Sequence, residues 1–306
     1  MIAKTFPALL FLLAAASAFA AGDLRLMHEG VERSYDLHVP SSYQAGSLVP
    51  LLVALHGRSG SAARMEELTD FNLRADQYGF MVVYPETMRA TWNYLHGISG
   101  YQPRPNDSEF LLGLVETLAG EYSIDTDRVY VAGISNGGYM AQRLACYAPE
   151  RFAGFASVAA GGYGAMALDC KEYSPVNILY IHGTEDALVP WQGLQIENAN
   201  GNQELVAMSI TDSLKFWSRR NHCGQDVLRR ELPQGGDSPR TSVKFLTATE
   251  CRADAEVSLY AVIGGGHNWP GNRSVIPPDV AGAVNMDIHA SDVILSFFRG
   301  KQPATE

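Results

Sequence analysis

The chain alternates between short apolar runs and amphipathic stretches over most of its length. Pro50 to His56, Phe80 to Tyr84, Val129 to Ala132, Phe152 to Ala160, Val176 to His182 and Val257 to Val262 are nearly continuous apolar runs bounded by Gly, Pro or polar residues. Runs of this length without a polar alternation fit strands buried on both faces, the pattern of a parallel sheet. Between them lie Ala62 to Tyr78, Asp107 to Tyr122, a stretch through Ala141, Leu144 and Ala145, Glu204 to Arg220, and Ile288 to Phe298. Their apolar residues recur at helical spacing, which predicts helices, with Asp107 or Ser108 capping the second. Alternation of strand and helix implies an α/β fold with a mostly parallel central sheet and helices on both faces. Leu24 to Glu29 and Arg33 to Val39 predict an antiparallel edge pair turning at Gly30. Residues 221–255 are polar and rich in Gly and Pro, with a hairpin or excursion expected around Ser242 to Leu246.

One strand runs directly into chemistry. Arg128 to Met140 reads R-V-Y-V-A-G-I-S-N-G-G-Y-M, so G-x-S-x-G falls between a strand and a helix. A serine in that turn is lifted out of the sheet, and Gly133, Gly137 and Gly138 leave room for the helix to start over the strand. The pentapeptide alone also fits an ordinary Gly-rich strand-helix turn, so its partners decide. A serine hydroxyl needs a histidine base and a carboxylate to orient it, following in the order Ser, acid, His at strand ends. The strand ending at His182 runs into G-T-E-D-A-L-V-P, and the strand ending at Val262 is followed by G-G-G-H-N-W-P from Gly264. These assign Ser135 as nucleophile, Asp186 as orienting acid and His267 as general base. Glu185 leaves the same turn in a different direction, and Asp107 precedes the serine, so both are weaker acids for the role. His56 and His182, at strand ends, are expected to make structural hydrogen bonds. The backbone N–H groups of Asn136 and Arg58, the latter in H-G-R after the strand from Pro50, are the expected oxyanion donors.

Residues 85–106 carry no periodicity but include Trp92, Tyr94 and Tyr101. A connection this long in a compact domain is more often functional than not, and it is expected to line a substrate cleft.

Composition narrows the setting. With 23 Lys and Arg against 33 Asp and Glu, the net charge is −10 and the cations are scattered, which argues against nucleic acid as a partner. Lys4, the apolar run Ala8 to Ala16 and Ala18-Phe19-Ala20 read as a secretory signal peptide over residues 1–20, leaving 21–306 as a single domain. No further stretch has transmembrane length, so an exported protein without a membrane partner is expected, secreted to the periplasm or beyond. Its four cysteines, Cys146, Cys170, Cys223 and Cys251, allow two disulfides in three connectivities. The local pairs 146–170 and 223–251 are preferred; zinc is disfavoured because no C-x-x-C occurs.

Taken together, L-H-G-R-S-G-S, W-N, R-V-Y-V-A-G-I-S-N-G-G, H-G-T-E-D-x-x-V-P and G-G-G-H-N-W-P-G resemble secreted esterases of the polyhydroxybutyrate-depolymerase and feruloyl-esterase group. The resemblance spans about residues 31 to 300. It implies an α/β-hydrolase fold, a triad of Ser135, Asp186 and His267, no cofactor, no metal, and the two local disulfides. It implies an ester substrate, polysaccharide-linked or polyester, and no obligate protein partner is evident. Feruloyl-esterase-like activity is the leading expectation, because Trp92, Tyr101, Trp191 and Trp269 near the motifs suit a planar acyl group. The alternatives are a polyester depolymerase or a general short-chain carboxylesterase.

Overall fold

The computed structural model describes residues 24–98, 105–170, 175–197, 201, 203–235, 238–274 and 276–300. The expected signal peptide and Tyr101 lie outside them. The strands are β1 (Leu24–His28), β2 (Val31–His38), β3 (Val49–Leu55), β4 (Met81–Pro85), β5 (Ile124–Ile134), β6 (Gly154–Val158), β7 (Ile178–Gly183), β8 (Leu194–Glu197), β9 (Gln203–Ala207), β10 (Val227–Glu231), β11 (Ser242–Ala248) and β12 (Val257–Ile263). The helices are α1 (Ala62–Thr69), α2 (Phe71–Tyr78), α3 (Asp107–Glu121), α4 (Asn136–Tyr147), α5 (Met166–Asp169), α6 (Ile210–Arg220), α7 (Pro278–Ala281) and α8 (Ala290–Phe298).

Among the described residues, ten strands form one sheet in the order β1-β2-β4-β3-β5-β6-β7-β12-β11-β10. Strands β4, β3, β5, β6, β7 and β12 are parallel. The two outer strands on each side run antiparallel to their neighbours. Because side chains alternate across a strand, Leu51, Val53 and Leu55 of β3 pack on the face covered by α3, α4 and α6. Leu52 and Ala54 pack on the opposite face with α1, α2 and α8. Both faces are therefore buried, which accounts for the unbroken apolar runs.

Three expectations are corrected. The single helix over 62–78 is two helices, because Asp70 takes φ 49° in the left-handed region between them. Asn272, brought in from the far end of the chain, donates its side-chain amide to the Glu67 and Leu68 carbonyls at 3.2 and 3.0 Å, satisfying acceptors freed by the break. The helix over 204–220 begins only at Ile210. Gln203–Ala207 instead pairs with Leu194–Glu197 as a separate two-stranded sheet, and Ser209 caps α6 by accepting from the Asp212 N–H at 3.0 Å. The cap of α3 is Asn106, which accepts from the Glu109 N–H. Asp107 is occupied elsewhere: it pairs with buried Arg33 at 2.9 Å and accepts from the Asn93 N–H at 2.8 Å. That pair ties the loop after β4 to the sheet edge and removes Asp107 as an acid for the serine.

Both disulfides join the expected local partners. Cys146–Cys170 fastens the end of α4 to the segment after α5, and Cys223–Cys251 fastens the end of α6 to the approach to β12. No described helix is long and apolar enough to cross a membrane.

Candidate active site

Ser135 leaves β5 at φ 55° and ψ −118° and immediately precedes α4. A side chain with a Cβ rarely adopts positive φ, and such strain persists only when the surroundings fix it. Here they do. A Cβ on Gly133 would lie 2.2 Å from the Gly137 carbonyl oxygen, and one on Gly137 would lie 2.2 Å from that of Leu55. The helix thus starts against the ends of β5 and β3, where only hydrogen fits. Asn136 opens α4, so its N–H is one of the four with no carbonyl inside the helix. A Cβ on Gly57 would stand 3.4 Å from the Ser135 Cβ, so the His56-Gly57-Arg58 turn flanks the serine.

Asp186 and His267 emerge from the same carboxyl edge, after β7 and β12, which are adjacent in the sheet. Their loops are stitched together: the Glu185 N–H donates to the Gly265 carbonyl at 2.9 Å, and the Gly264 N–H donates to the Thr184 hydroxyl at 2.9 Å. Asp186 Oδ1 accepts from the Leu188 and Val189 N–H groups at 2.9 and 2.8 Å, leaving Oδ2 to accept from His267 Nδ1 at 2.8 Å. The carboxylate is fully enclosed and the imidazole nearly so. With Nδ1 as donor, Nε2 is the basic nitrogen of His267. Glu185, by contrast, is exposed, so only one of the two neighbouring acids is turned inward.

His182 is a buried structural residue, as expected. Its Nε2 donates to the Val189 carbonyl at 2.9 Å, and burial pushes its pKa down to about 4 against the pull of Asp186. His56 donates Nδ1 to the Gly57 carbonyl at 2.7 Å, shaping the turn that carries Arg58.

A cavity of about 420 Å³ opens beside Ser135, lined by Trp92, Tyr94 and Tyr139 and by the exposed Arg58 and Arg89. Trp92 is anchored twice. Its indole N–H donates to the His56 carbonyl at 2.9 Å, and its backbone N–H donates to Asn136 Oδ1 at 2.6 Å. Asn136 therefore supplies its side chain to hold the loop as well as its N–H beside the serine. The Tyr94 and Tyr139 rings lie 5.1 Å apart, and burial raises both phenol pKa values, so they stay neutral. Sequence reasoning missed Tyr139 as a wall residue, although it stands one helical turn after Ser135. Nothing in the sequence pointed to Arg89.

Two of the expected tryptophans are not in that wall. Trp269 is buried at 1% exposure on the opposite side of the sheet, edge-on to Phe71 and donating to the Ser291 hydroxyl at 3.1 Å. It is core, because the chain turns back into the molecule directly after His267. Trp191 is half-buried against His182, with ring centroids 6.0 Å apart, and braces the Asp186 loop.

Residues 33–173 match the family described as esterase PHB depolymerase. Over 279 residues the chain is 32% identical to the putative esterase NocK of Nocardia uniformis subsp. tsuyamanensis, covering 89% of this chain and 80% of that protein. The chain belongs to the PHB-depolymerase esterase family. This esterase is also 31% identical over 197 residues to the bifunctional acetylxylan esterase/xylanase XynS20E of Neocallimastix patriciarum, spanning 63% of this chain and 27% of that longer protein. The acetyl xylan esterase of Aspergillus awamori superposes with a TM-score of 0.55 over 81% of this chain and 91% of that one, at 17% identity. The shared fold is the α/β hydrolase, and the esterase is a carboxylic ester hydrolase of the feruloyl-esterase, acetylxylan-esterase and PHB-depolymerase group.

Proposed function

We propose that this esterase cleaves carboxylic esters through an acyl-enzyme on Ser135 and prefers aromatic acyl groups of the hydroxycinnamoyl class. His267 takes the Ser135 proton as the hydroxyl attacks the ester carbonyl, then gives it to the leaving alcohol. Asp186 fixes the tautomer and orientation of His267. The N–H groups of Asn136 and Arg58 hold the tetrahedral oxyanion, and water attacks the acyl-enzyme in the second half. Export through residues 1–20, with 21–306 as one catalytic domain, fits the two disulfides, which persist in oxidising compartments.

The observation that supports the acyl preference is the cavity of about 420 Å³ between Trp92, Tyr94 and Tyr139, larger than an acetyl group needs and lined by flat rings. Likeness to XynS20E favours a second reading, short acyl groups on a polysaccharide. Specificity constants on methyl ferulate and on p-nitrophenyl esters from acetate to octanoate, with Ser135→Ala as blank, separate the two. Ferulate ahead of the aliphatic esters is expected; acetate ahead with ferulate near background contradicts the aromatic reading.

A further inference from the structure

The cavity at Ser135 has the opposite charge from the chain that encloses it. The protein carries 33 acidic residues against 23 basic ones, yet among the described residues the charged side chains lining this cavity are Arg58 and Arg89, with no carboxylate beside them. Both arginines are exposed, and among the described residues neither guanidinium has an ion pair or hydrogen bond. They arise from neighbouring stretches of backbone, because the Ser59 N–H donates to the Ala90 carbonyl at 2.7 Å and ties the two loops side by side. Tyr94 and Tyr139, neutral and largely buried, line the same cavity. The cavity therefore combines buried aromatic rings with two exposed cations.

We propose that Arg58 and Arg89 recognise a carboxylate on the alcohol part of the ester, the chemistry of an acyl group carried by a uronic acid residue of an acidic polysaccharide. The proposal rests on Ser135 as nucleophile. The acyl group lies against the aromatic rings, and the leaving alcohol faces the exposed arginines, where it departs to solvent. Planar guanidinium groups bind a carboxylate by donating paired N–H groups to it, and two adjacent exposed cations attract it against the field of a chain of net charge −10. The covalent step is unchanged. The Ser135 Oγ–acyl bond forms, the ester C–O bond breaks, and the proton held by His267 passes to the alcohol oxygen. The carboxylate leaves ionised on the product, and water then releases the acyl group as the free acid.

The test uses ethyl ferulate and carboxymethyl ferulate, which share the acyl group and differ in whether the alcohol ends in a methyl or a carboxylate. The quantity read is the ratio of their kcat/KM values within each protein, so a general loss from disturbed folding or a displaced Arg58 N–H cancels. In the wild type the anionic ester is expected to lead by about fivefold, falling toward parity in 0.5 M salt. Arg89→Gln and Arg58→Gln should each lower the ratio, the double substitution should bring it to one or below, and Arg89→Lys should restore part of it. A wild-type ratio at or below one, or a ratio the double substitution does not move, overturns the proposal. If p-nitrophenyl acetate is cleaved but neither ferulate, the acyl preference has failed, and the same comparison on ethyl acetate and carboxymethyl acetate decides the alcohol question. If no ester of any kind is cleaved, the reading of Ser135 has failed, and the carboxylate proposal falls with it.

Discussion

Ser135 at φ 55° sits in backbone strain of about 1–3 kcal/mol that a glycine would not bear. Ser135→Gly is therefore expected to raise the unfolding free energy by about 1 kcal/mol in urea titrations while eliminating turnover; equal stability would mean the turn is not strained. Asp186 uses one oxygen to accept two backbone N–H groups and the other to accept from His267. Asp186→Asn keeps the size but can present an N–H to His267, so kcat should fall by about 10³–10⁴ with KM little changed. A loss below tenfold would show that the orientation of His267 does not depend on this carboxylate. His182 titrates near 4 in the fold and near 6.5 when unfolded, because burial disfavours its charged form. Between those values the unfolded chain binds the extra proton, so stability falls as pH drops from about 6.5 to 4, by about 3 kcal/mol in total. Urea midpoints measured over that range should show this slope in the wild type and lose most of it in His182→Asn; identical slopes would assign the acid sensitivity to other groups.

At the scale of elements, the meeting of β3, β5 and α4 leaves no space for a methyl group at Gly137. Gly137→Ala places a Cβ against the Leu55 and His56 carbonyls and must tilt α4 away from Ser135. A destabilisation of about 3 kcal/mol or more is expected, with loss of activity; a stable, active variant would mean that α4 can shift without carrying the serine with it. The parallel strands were legible because burial on both faces leaves an unbroken apolar run, and the three strand-end motifs were legible because Gly-rich turns follow those runs. The break at Asp70 was not, since it is stabilised by Asn272, about two hundred residues away in the chain and invisible to local periodicity. Nor was the strand at Gln203–Ala207, whose partner Leu194–Glu197 is short and exposed and carries no burial signal. Trp92, in the aperiodic 85–106 loop, and Trp269, two residues after His267, were both expected at the substrate, yet one walls the cavity and the other fills the core. An aromatic ring satisfies either environment, and only the path of the chain around it separates them.

For the whole molecule, the parallel centre of the sheet brings Ser135, Asp186 and His267 to one edge, and the two disulfides pin helices α4 and α6 behind it. Each closes a loop of 24 or 28 residues, worth about 3 kcal/mol in the chain-entropy account. Reduction under native conditions is expected to lower Tm by roughly 10 °C, and unchanged melting with and without reductant would contradict that contribution. An acyl-enzyme on Ser135 can be caught by intact mass during the first turnovers with a p-nitrophenyl ester, followed by peptide mapping. A transient acyl adduct is expected, confined to the peptide containing Ser135 and absent from Ser135→Ala, which should also be inactive. Turnover by Ser135→Ala, or an adduct on a different residue, would contradict it.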